Sequence, residues 1–207
     1  TNKGWTAGEG AGAVVFKRQQ QALKQQQRIY STLDAIAFSN GVDDNAVNSA
    51  ANLALQQAQI EPAQVGYIEL NASGFSELDQ AELSGLSQCY QNESTEGHKD
   101  LSCAIGSVKA HIGHTFNASG IASLIRSSLC LHNRYLPGIP GWSAIKPAAS
   151  GKTDTPFYAL PESKPWLRND NERPRTAAIS NLGMDGSSCH ILLSECEQQA
   201  TGRTNHY

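Results

Sequence analysis

The chain has 207 residues, of which 39% are hydrophobic and 17% charged, with a formal net charge of -3. This length suffices for one domain with a substantial core. No apolar run of about 18 residues predicts a membrane span, and no Lys/Arg cluster predicts nucleic-acid binding. The five cysteines are irregularly spaced. They indicate reduced thiols in a cytoplasmic protein, and we expect no cofactor.

The first part of the chain predicts alternating strands and helices. Gly8 to Arg18 combines closely spaced glycines with a β-branched run, which predicts a tight entry into a buried strand. A dinucleotide-binding loop is disfavoured because its glycines follow a strand rather than precede one. A polar helix is predicted over residues 19–27 and a strand over 30–39. From Asp44 the apolar residues recur at helical spacing, and residue 43, 44 or 45 can cap that helix.

A first strand-to-helix corner follows the next predicted strand, Val65 to Leu70. The corner begins at Asn71. Ser76, with Asp79 three residues later, resembles a capping box at the start of a helix. We interpret these two residues as closing the helix end.

A second corner follows a predicted strand over residues 101–106 and carries Lys109, His111 and His114. Ligands tend to bind at such corners, where strand carboxyl ends and helix N-termini meet. For this motif alone, a structural role with solvated Lys109 and backbone-bonded histidines is also open. Zinc binding by the two histidines lacks supporting CxxC or HExxH spacing, so we expect no metal.

The remaining sequence predicts a helix from about residue 115, a surface excursion and a final pair of strands. The helix places apolar residues on one side (Ile121, Leu124, Ile125 and Leu129) and stops before Pro137. The excursion, residues 141–174, contains one predicted short strand near Phe157. Its aromatic side chains are expected to anchor it (Trp142, Phe157, Tyr158 and Trp166). Strands over 176–181 and 189–195 flank a turn, and residues 197–207 form a polar tail. This alternation predicts an α/β layered domain.

Three ordered motifs resemble those of β-ketoacyl synthases, the thiolase-fold condensing enzymes of fatty acid and polyketide synthesis. Ile68-Glu-Leu-Asn-Ala-Ser-Gly-Phe75, with Asp79 and Glu82 downstream, is similar to Val-Glu-Ala-His-Gly-Thr-Gly-Thr. Ser107-Val-Lys-Ala-His-Ile-Gly-His114 is similar to Ser-Val-Lys-x-x-x-Gly-His. Ser180 to His190 is similar to the glycine-rich close Ser-x-Phe-Gly-Phe-Gly-Gly-Thr-Asn-Ala-His.

The resemblance implies a thiolase-like layered αβαβα architecture. Residues 1–196 would supply its C-terminal half and the last strands of the N-terminal half, and the start at Thr1 reads as part of something longer. The nucleophilic cysteine would lie upstream. None of the cysteines in this chain lies on the family's nucleophile motif (Cys89, Cys103, Cys130, Cys189 and Cys196).

The departures from the family pattern bear on chemistry. The resemblance implies that two histidines bind the malonyl thioester carbonyl, and here His114 remains while Asn71 replaces the other. It also implies that Lys109 is retained, with Glu82 as its ion-pair partner. An asparagine amide donates a hydrogen bond but cannot carry a positive charge. Three further replacements would reshape an acyl tunnel or gate (Phe75, Leu182 and Met184).

These features resemble a chain length factor, the inactive partner of an active ketosynthase in polyketide or polyunsaturated fatty acid synthases. The resemblance implies three partners: an active ketosynthase, an acyl carrier protein and the missing N-terminal half. Two alternatives are open. One is an active, divergent β-ketoacyl synthase in which Asn71 serves as donor. The other is a non-enzymatic structural or docking module with a thiolase fold.

Overall fold

The computed structural model describes residues 4–91, 103–141, 155–168 and 173–196. The α-helices of this part are α1 (Gln19–Lys24), α2 (Asp44–Ala58), α3 (Ser76–Tyr90), α4 (Lys109–Ile112) and α5 (Ser119–Asn133). Two 3-10 turns lie at Pro62–Gln64 and Phe116–Ala118. The strands are β1 (Thr32–Asn40), β2 (Val65–Glu69), β3 (Cys103–Gly106), β4 (Tyr135–Leu136), β5 (Phe157–Ala159), β6 (Lys164–Pro165), β7 (Thr176–Leu182) and β8 (Ser187–Ser194).

A six-stranded sheet in the order β1-β8-β7-β2-β3-β5 organises the domain, while β4 and β6 form a separate two-stranded sheet. Within the six-stranded sheet, β8 runs antiparallel to β1 and β7, and the other pairs are parallel. Strands β4 and β6 are antiparallel. Glu69, the last residue of β2, pairs with Gly106, the last residue of β3. The corners that follow these two strands therefore begin side by side at one edge of the sheet.

The core lies on both faces of the sheet. One cluster packs α2 and α3 against the strands and includes Val47, Leu86 and Ile68. The other packs the end of α5 against the opposite face and includes Leu131 and Trp166. Helices on both faces of a mixed sheet confirm the predicted α/β layered class.

The predicted helix from Asp44 is α2, and Asp43 is its cap. The Asp43 side chain accepts a hydrogen bond from the Ala46 N–H at 2.8 Å, which satisfies a donor of the first turn. Helix α3 packs closely on α2 at Gly85, where a Cβ would lie 2.4 Å from the Asp44 carbonyl oxygen. None of the helices in the described ranges is long and apolar enough to span a bilayer.

Two local predictions are wrong. Gly8 to Arg18 forms no strand, and Val15 is 95% exposed, because the described residues offer this segment no neighbouring strand. Ser76 is the first residue of α3 rather than its cap. Phe75 is the N-cap residue and makes no side-chain capping hydrogen bond. The Asp79 carboxylate instead accepts from the Gly74 N–H, which precedes the helix, at 3.1 Å.

Helix α5 begins at Ser119, and its buried face is not its apolar side. Small side chains form most of the buried face (Ser119, Ser123, Ser127, Cys130 and Leu131). Ile121, Ile125 and Leu129 line an open groove instead. Small residues let α5 approach the sheet closely, as at Ala177 on β7, which is fully buried.

Several expectations for the later loops are confirmed where the structure describes them. Phe157 and Trp166 are buried, and a short strand includes Phe157. Strand β3 begins at Cys103. Trp142, the first two residues of the predicted 101–106 strand and the predicted tail, residues 197–207, lie outside the described residues.

Candidate active site

Asn71 follows β2 and is held by a buried carboxylate of α3. The Asn71 N–H donates to Glu82 Oε1 at 2.7 Å, and the Ala72 N–H donates to Oε2 at 2.9 Å. The Ser180 hydroxyl on β7 also bonds to Glu82. Burial raises the Glu82 pKa, although these hydrogen bonds oppose the rise. Bonds from both amides to one carboxylate fix the backbone at this corner.

Lys109, the first residue of α4, contacts Asn71 from the second corner. Its Nζ donates to the Asn71 backbone carbonyl and, at 3.0 Å, to the side-chain oxygen Oδ1. An ammonium group has donors only, so the amide oxygen faces Lys109 and Nδ2 is the group left to donate. Burial lowers the Lys109 pKa, while the carboxylates of Glu82, Glu69 and Asp79 act in the opposite direction.

The predicted ion pair between Lys109 and Glu82 is not a direct contact. Among the described residues, the ion pairs with a nitrogen–oxygen distance of 4.0 Å or less do not include Lys109 with Glu82. Asn71 lies between the two charges, giving its N–H to Glu82 and its carbonyl to Lys109. The two charges are thus connected through the Asn71 backbone rather than by direct contact. The two groups still attract each other electrostatically.

The hydrogen bonds around His114 define its proton-donating nitrogen. Its Nδ1 accepts from the Phe116 N–H at 3.0 Å and lies 3.2 Å from the Ser119 hydroxyl oxygen. A neutral imidazole that accepts at Nδ1 carries its proton on Nε2. Burial, followed by the positive charge of Lys109, lowers the His114 pKa. The side chain is thus kept as a neutral Nε2–H donor at pH 7.

A second buried carboxylate, Glu69 at the end of β2, supports the Lys109 corner. Its Oε1 accepts from the Val108 N–H at 2.5 Å, and its Oε2 accepts from the Tyr67 hydroxyl at 2.5 Å. Arg126 on α5 lies 3.5 Å from the same carboxylate. Burial raises the Glu69 pKa, and Arg126 is the largest opposing influence. Each corner therefore has its own buried glutamate.

The three predicted gate residues occupy different environments. Phe75 is 53% exposed just before α3, and Met184 is 89% exposed in the turn between β7 and β8. Leu182 is partly buried against the core beneath α2 and α3. Met184 therefore has the most freedom to contact a second chain or an acyl group, whereas Leu182 is restrained by packing.

The neighbourhood of the two histidines gives no support to a metal site. His111 Nδ1 lies 3.2 Å from Arg126 Nη1, and His114 Nδ1 is engaged by backbone and hydroxyl groups. Within the described ranges, no group of three or more His, Cys, Asp or Glu residues could hold a metal ion.

Comparison with known families gives a match to the C-terminal domain of β-ketoacyl synthases over residues 17–142, more than half of the chain. The chain belongs to the β-ketoacyl synthase family. It is 36% identical over 202 residues, 94% of its length, to a component of the polyunsaturated fatty acid synthase of Thraustochytrium. It is 33% identical over 205 residues, 95% of its length, to the polyketide synthase PksL of Bacillus subtilis.

Solved ketosynthases share the fold of this ketosynthase-like chain. The module 6 ketosynthase of the Bacillus subtilis bacillaene synthase superposes with a TM-score of 0.81 at 30% identity, covering 94% of this chain. An oxazolomycin ketosynthase domain of Streptomyces albus gives 0.81 at 32% identity and also covers 94%. These matches confirm the thiolase-like fold. The chain spans 37% and 35% of those two structures, 4% of PksL and 10% of the Thraustochytrium protein.

The sequence predicts Asn71, Glu82, Lys109 and His114 as site residues. Hydrogen bonds connect Asn71 to both Glu82 and Lys109. The prediction missed the role of Glu69 in supporting the second corner. The signal was available, because Glu69 is the only charged residue within the apolar run from Val65 to Leu70.

Proposed function

We propose that this ketosynthase-like chain is part of a chain length factor, an inactive partner that pairs with an active ketosynthase and shapes its acyl tunnel. The observation that carries the proposal is the contact between Lys109 and the Asn71 side-chain oxygen. In the family motif a histidine occupies position 71. Here the Asn71 amide, bound by Lys109, takes the place of the histidine. The second corner keeps the motif residues Lys109 and His114.

The chemistry of condensation explains why this exchange matters. Loss of carbon dioxide from a malonyl thioester leaves an enolate, whose negative charge develops on the thioester oxygen. His114 can still stabilise this oxygen through Nε2–H. The Asn71 amide supplies only weakly polarised N–H donors, and unlike an imidazole it cannot exchange a proton. Loss of one such donor typically costs about 100- to 1000-fold in rate.

Uncovered apolar surface supports pairing with further protein. Phe16 is 66% exposed, and Phe38 on the edge strand β1 is 61% exposed. A groove of about 740 Å³ between residues 10–12 and α5 is lined by Ile121, Ile125 and Leu129. Clusters of exposed apolar side chains usually mark a surface that another protein segment or a ligand covers. The N-terminal half of the same domain is the occupant we assign to these surfaces.

The wider setting is a multienzyme that makes a polyunsaturated fatty acid or a polyketide in the cytoplasm. The relatives named above belong to such synthases. In this setting an acyl carrier protein delivers the growing chain to the active ketosynthase. This chain contributes a wall of the tunnel through Phe75 and Met184, both exposed at the sheet edge that carries the site.

Product length in the intact synthase tests the proposed role. We expect Met184→Trp to shift the product distribution towards shorter chains, because it adds bulk at an exposed position of the turn. Leu167→Trp is a matched control, since Leu167 is also largely exposed but lies after β6. An unchanged distribution with Met184→Trp would indicate a docking module with no influence on the tunnel.

A second candidate function is an active, divergent ketosynthase. One observation favours it: Lys109 orients Asn71 so that the amide Nδ2 is available as a donor. In that case the intact wild-type domain decarboxylates malonyl thioester without its partner. A chain length factor does not decarboxylate malonyl thioester on its own.

A further inference from the structure

The segment over residues 4–8, here called the strap, connects the two corners of the site. The Gly4 N–H donates to the Gly74 carbonyl at 3.0 Å, which attaches the strap to the Asn71 corner. The Gly8 N–H donates to the His114 carbonyl at 2.9 Å, and the His114 N–H donates to the Thr6 carbonyl at 2.8 Å. Three backbone hydrogen bonds thus join two loops that lie far apart in sequence.

Glycines at the contact points allow this close approach. At Gly74, where φ is +79°, a Cβ would lie 2.6 Å from the Gly4 carbonyl oxygen. At Gly8 a Cβ would lie 2.1 Å from the Ile112 carbonyl oxygen. These distances are well below van der Waals contact, so a side chain at either position would displace the strap. Glycine is required here for space, and at Gly74 also for its backbone conformation.

The strap carries Trp5, whose indole contacts the His114 imidazole. The two ring centroids are 5.1 Å apart, with a tilt of 48° between the planes. Trp5 also meets Phe116 edge-on at 4.8 Å, and Phe116 lies 5.3 Å from His114. Phe116 has a φ of +50°, a conformation that a bulky residue rarely adopts. The same residue donates its N–H to His114 Nδ1.

We propose that Trp5 is a positioning residue for His114. The strap holds the indole against the imidazole and against Phe116, which keeps Nδ1 bonded to the Phe116 N–H and the ring proton on Nε2. This inference rests on His114 being the retained donor of the proposed function. Backbone strain at Phe116 fits this role, because strained residues persist where their surroundings constrain them.

The electrostatic surroundings of His114 are consistent with this arrangement. The ring contacts from the strap and the 3-10 turn are uncharged, and Lys109 on α4 is the charged group that acts on the His114 pKa. Aromatic contact on the imidazole removes water, which disfavours the protonated ring. Removal of the indole would therefore return the His114 pKa towards its ordinary value and release the ring.

Peptide-resolved labelling with diethyl pyrocarbonate tests the proposal in the intact protein, because this reagent modifies neutral imidazole. Labelling of His114 is followed against pH by mass spectrometry in the wild type, Trp5→Phe and Trp5→Ala. We expect the half-labelling pH to rise towards about 6.5 in Trp5→Ala, with faster labelling at the plateau. Trp5→Phe keeps a ring at this position and should resemble the wild type.

His111 in the same sample is the internal control, because its polar contacts among the described residues, with Arg126 and with the backbone of Ser107 and Gly138, lie outside the strap. An unchanged His114 curve in Trp5→Ala would overturn the proposal. So would equal changes at His111 and His114, or a Trp5→Phe curve like that of Trp5→Ala. The labelling reports on the imidazole rather than on condensation. Its outcome is therefore independent of whether the domain is an inactive partner.

Discussion

Lys109 Nζ lies 3.0 Å from Asn71 Oδ1 and also binds the Asn71 backbone carbonyl. One cation therefore fixes both the backbone and the side chain of Asn71, the residue that we propose replaces the family's histidine. Because Lys109 also contributes to the lowered His114 pKa, it influences the donor state of both site residues. The hydrogen bonds of Asn71 with Lys109 and Glu82 thus hold this corner of the candidate site in a defined arrangement.

Removal of this lysine should destabilise the domain. In Lys109→Met, two oxygens of Asn71 lose their donor in a partly buried environment, which typically costs about 1–3 kcal/mol. Urea unfolding measures the change. Lys164→Met is a matched control, because Lys164 lies over the Tyr158 ring at 5.0 Å and such an exposed contact is worth about 0.5–1 kcal/mol. Equal losses in the two variants would show that the Asn71 contact contributes nothing specific.

Stability should fall as the pH decreases below about 6.5 because of His190. This histidine is buried on β8, its Nε2 lies 2.8 Å from the Tyr90 hydroxyl, and burial lowers its pKa to about 3. The unfolded chain takes up a proton near pH 6.5, whereas the folded chain resists it down to about pH 3. The expected loss is about 1.4 kcal/mol per pH unit within this window.

Urea unfolding between pH 5 and 8 measures this slope. His190→Gln should flatten the part of the slope that is due to the histidine. Tyr90→Phe is the control, since it removes the hydroxyl partner but keeps the buried imidazole, and it should retain the slope. If wild type and His190→Gln lose stability in parallel below pH 6.5, His190 is not the group responsible.

The strap should depend on the absence of a side chain at Gly74. Gly74→Ala places a Cβ 2.6 Å from a backbone oxygen at a φ of +79°. Gly141→Ala is a control with a similar conformational cost, because its φ is +68° and no atom of the described residues lies within 4 Å of its Cβ. The conformational cost is about 1–2 kcal/mol in both variants, and Gly74→Ala should lose more. Hydrogen exchange should also rise at residues 4–8 in Gly74→Ala alone, and equal protection of these amides in both variants would argue against the strap.

The apolar face of β1 should be buried in the intact protein. Phe38→Ser is expected to cost about 1–2 kcal/mol there, because much of a phenyl ring would lose its cover. In the 207-residue chain alone, the same change should cost much less. Leu167→Ser serves as the control in both settings. A Phe38→Ser effect of the same size with and without the rest of the protein would mean that nothing covers this face.

The order of strands and helices could be predicted because hydrophobic periodicity and turn residues are local signals. Examples are the cap of α2 at Asp43 and the strands that begin at Val65 and Thr176. The buried face of α5 could not be predicted in this way. Apolarity pointed to Ile121 and Leu129, but contact with the sheet selected the small side chains, and the apolar ones line a groove.

The residues of the candidate site could be proposed from the sequence, but the hydrogen bonds that connect them could not. Motif resemblance identified Asn71, Lys109 and Glu82, yet it implied a direct ion pair where the structure inserts the Asn71 backbone. Trp5 carried no signal in the sequence. Its contact with His114 depends on hydrogen bonds between distant loops, which no local pattern encodes.

The most direct test of the proposed impaired site is malonyl thioester decarboxylation by the intact domain without the proposed partner ketosynthase. Wild type, Asn71→His and Asn71→Ala are compared under identical conditions. We expect Asn71→His to exceed the wild type by about 100-fold or more and Asn71→Ala to remain close to the wild type. A wild type that already matches Asn71→His, and loses its activity in Asn71→Ala, would contradict an impaired site and identify the amide as a working catalytic donor.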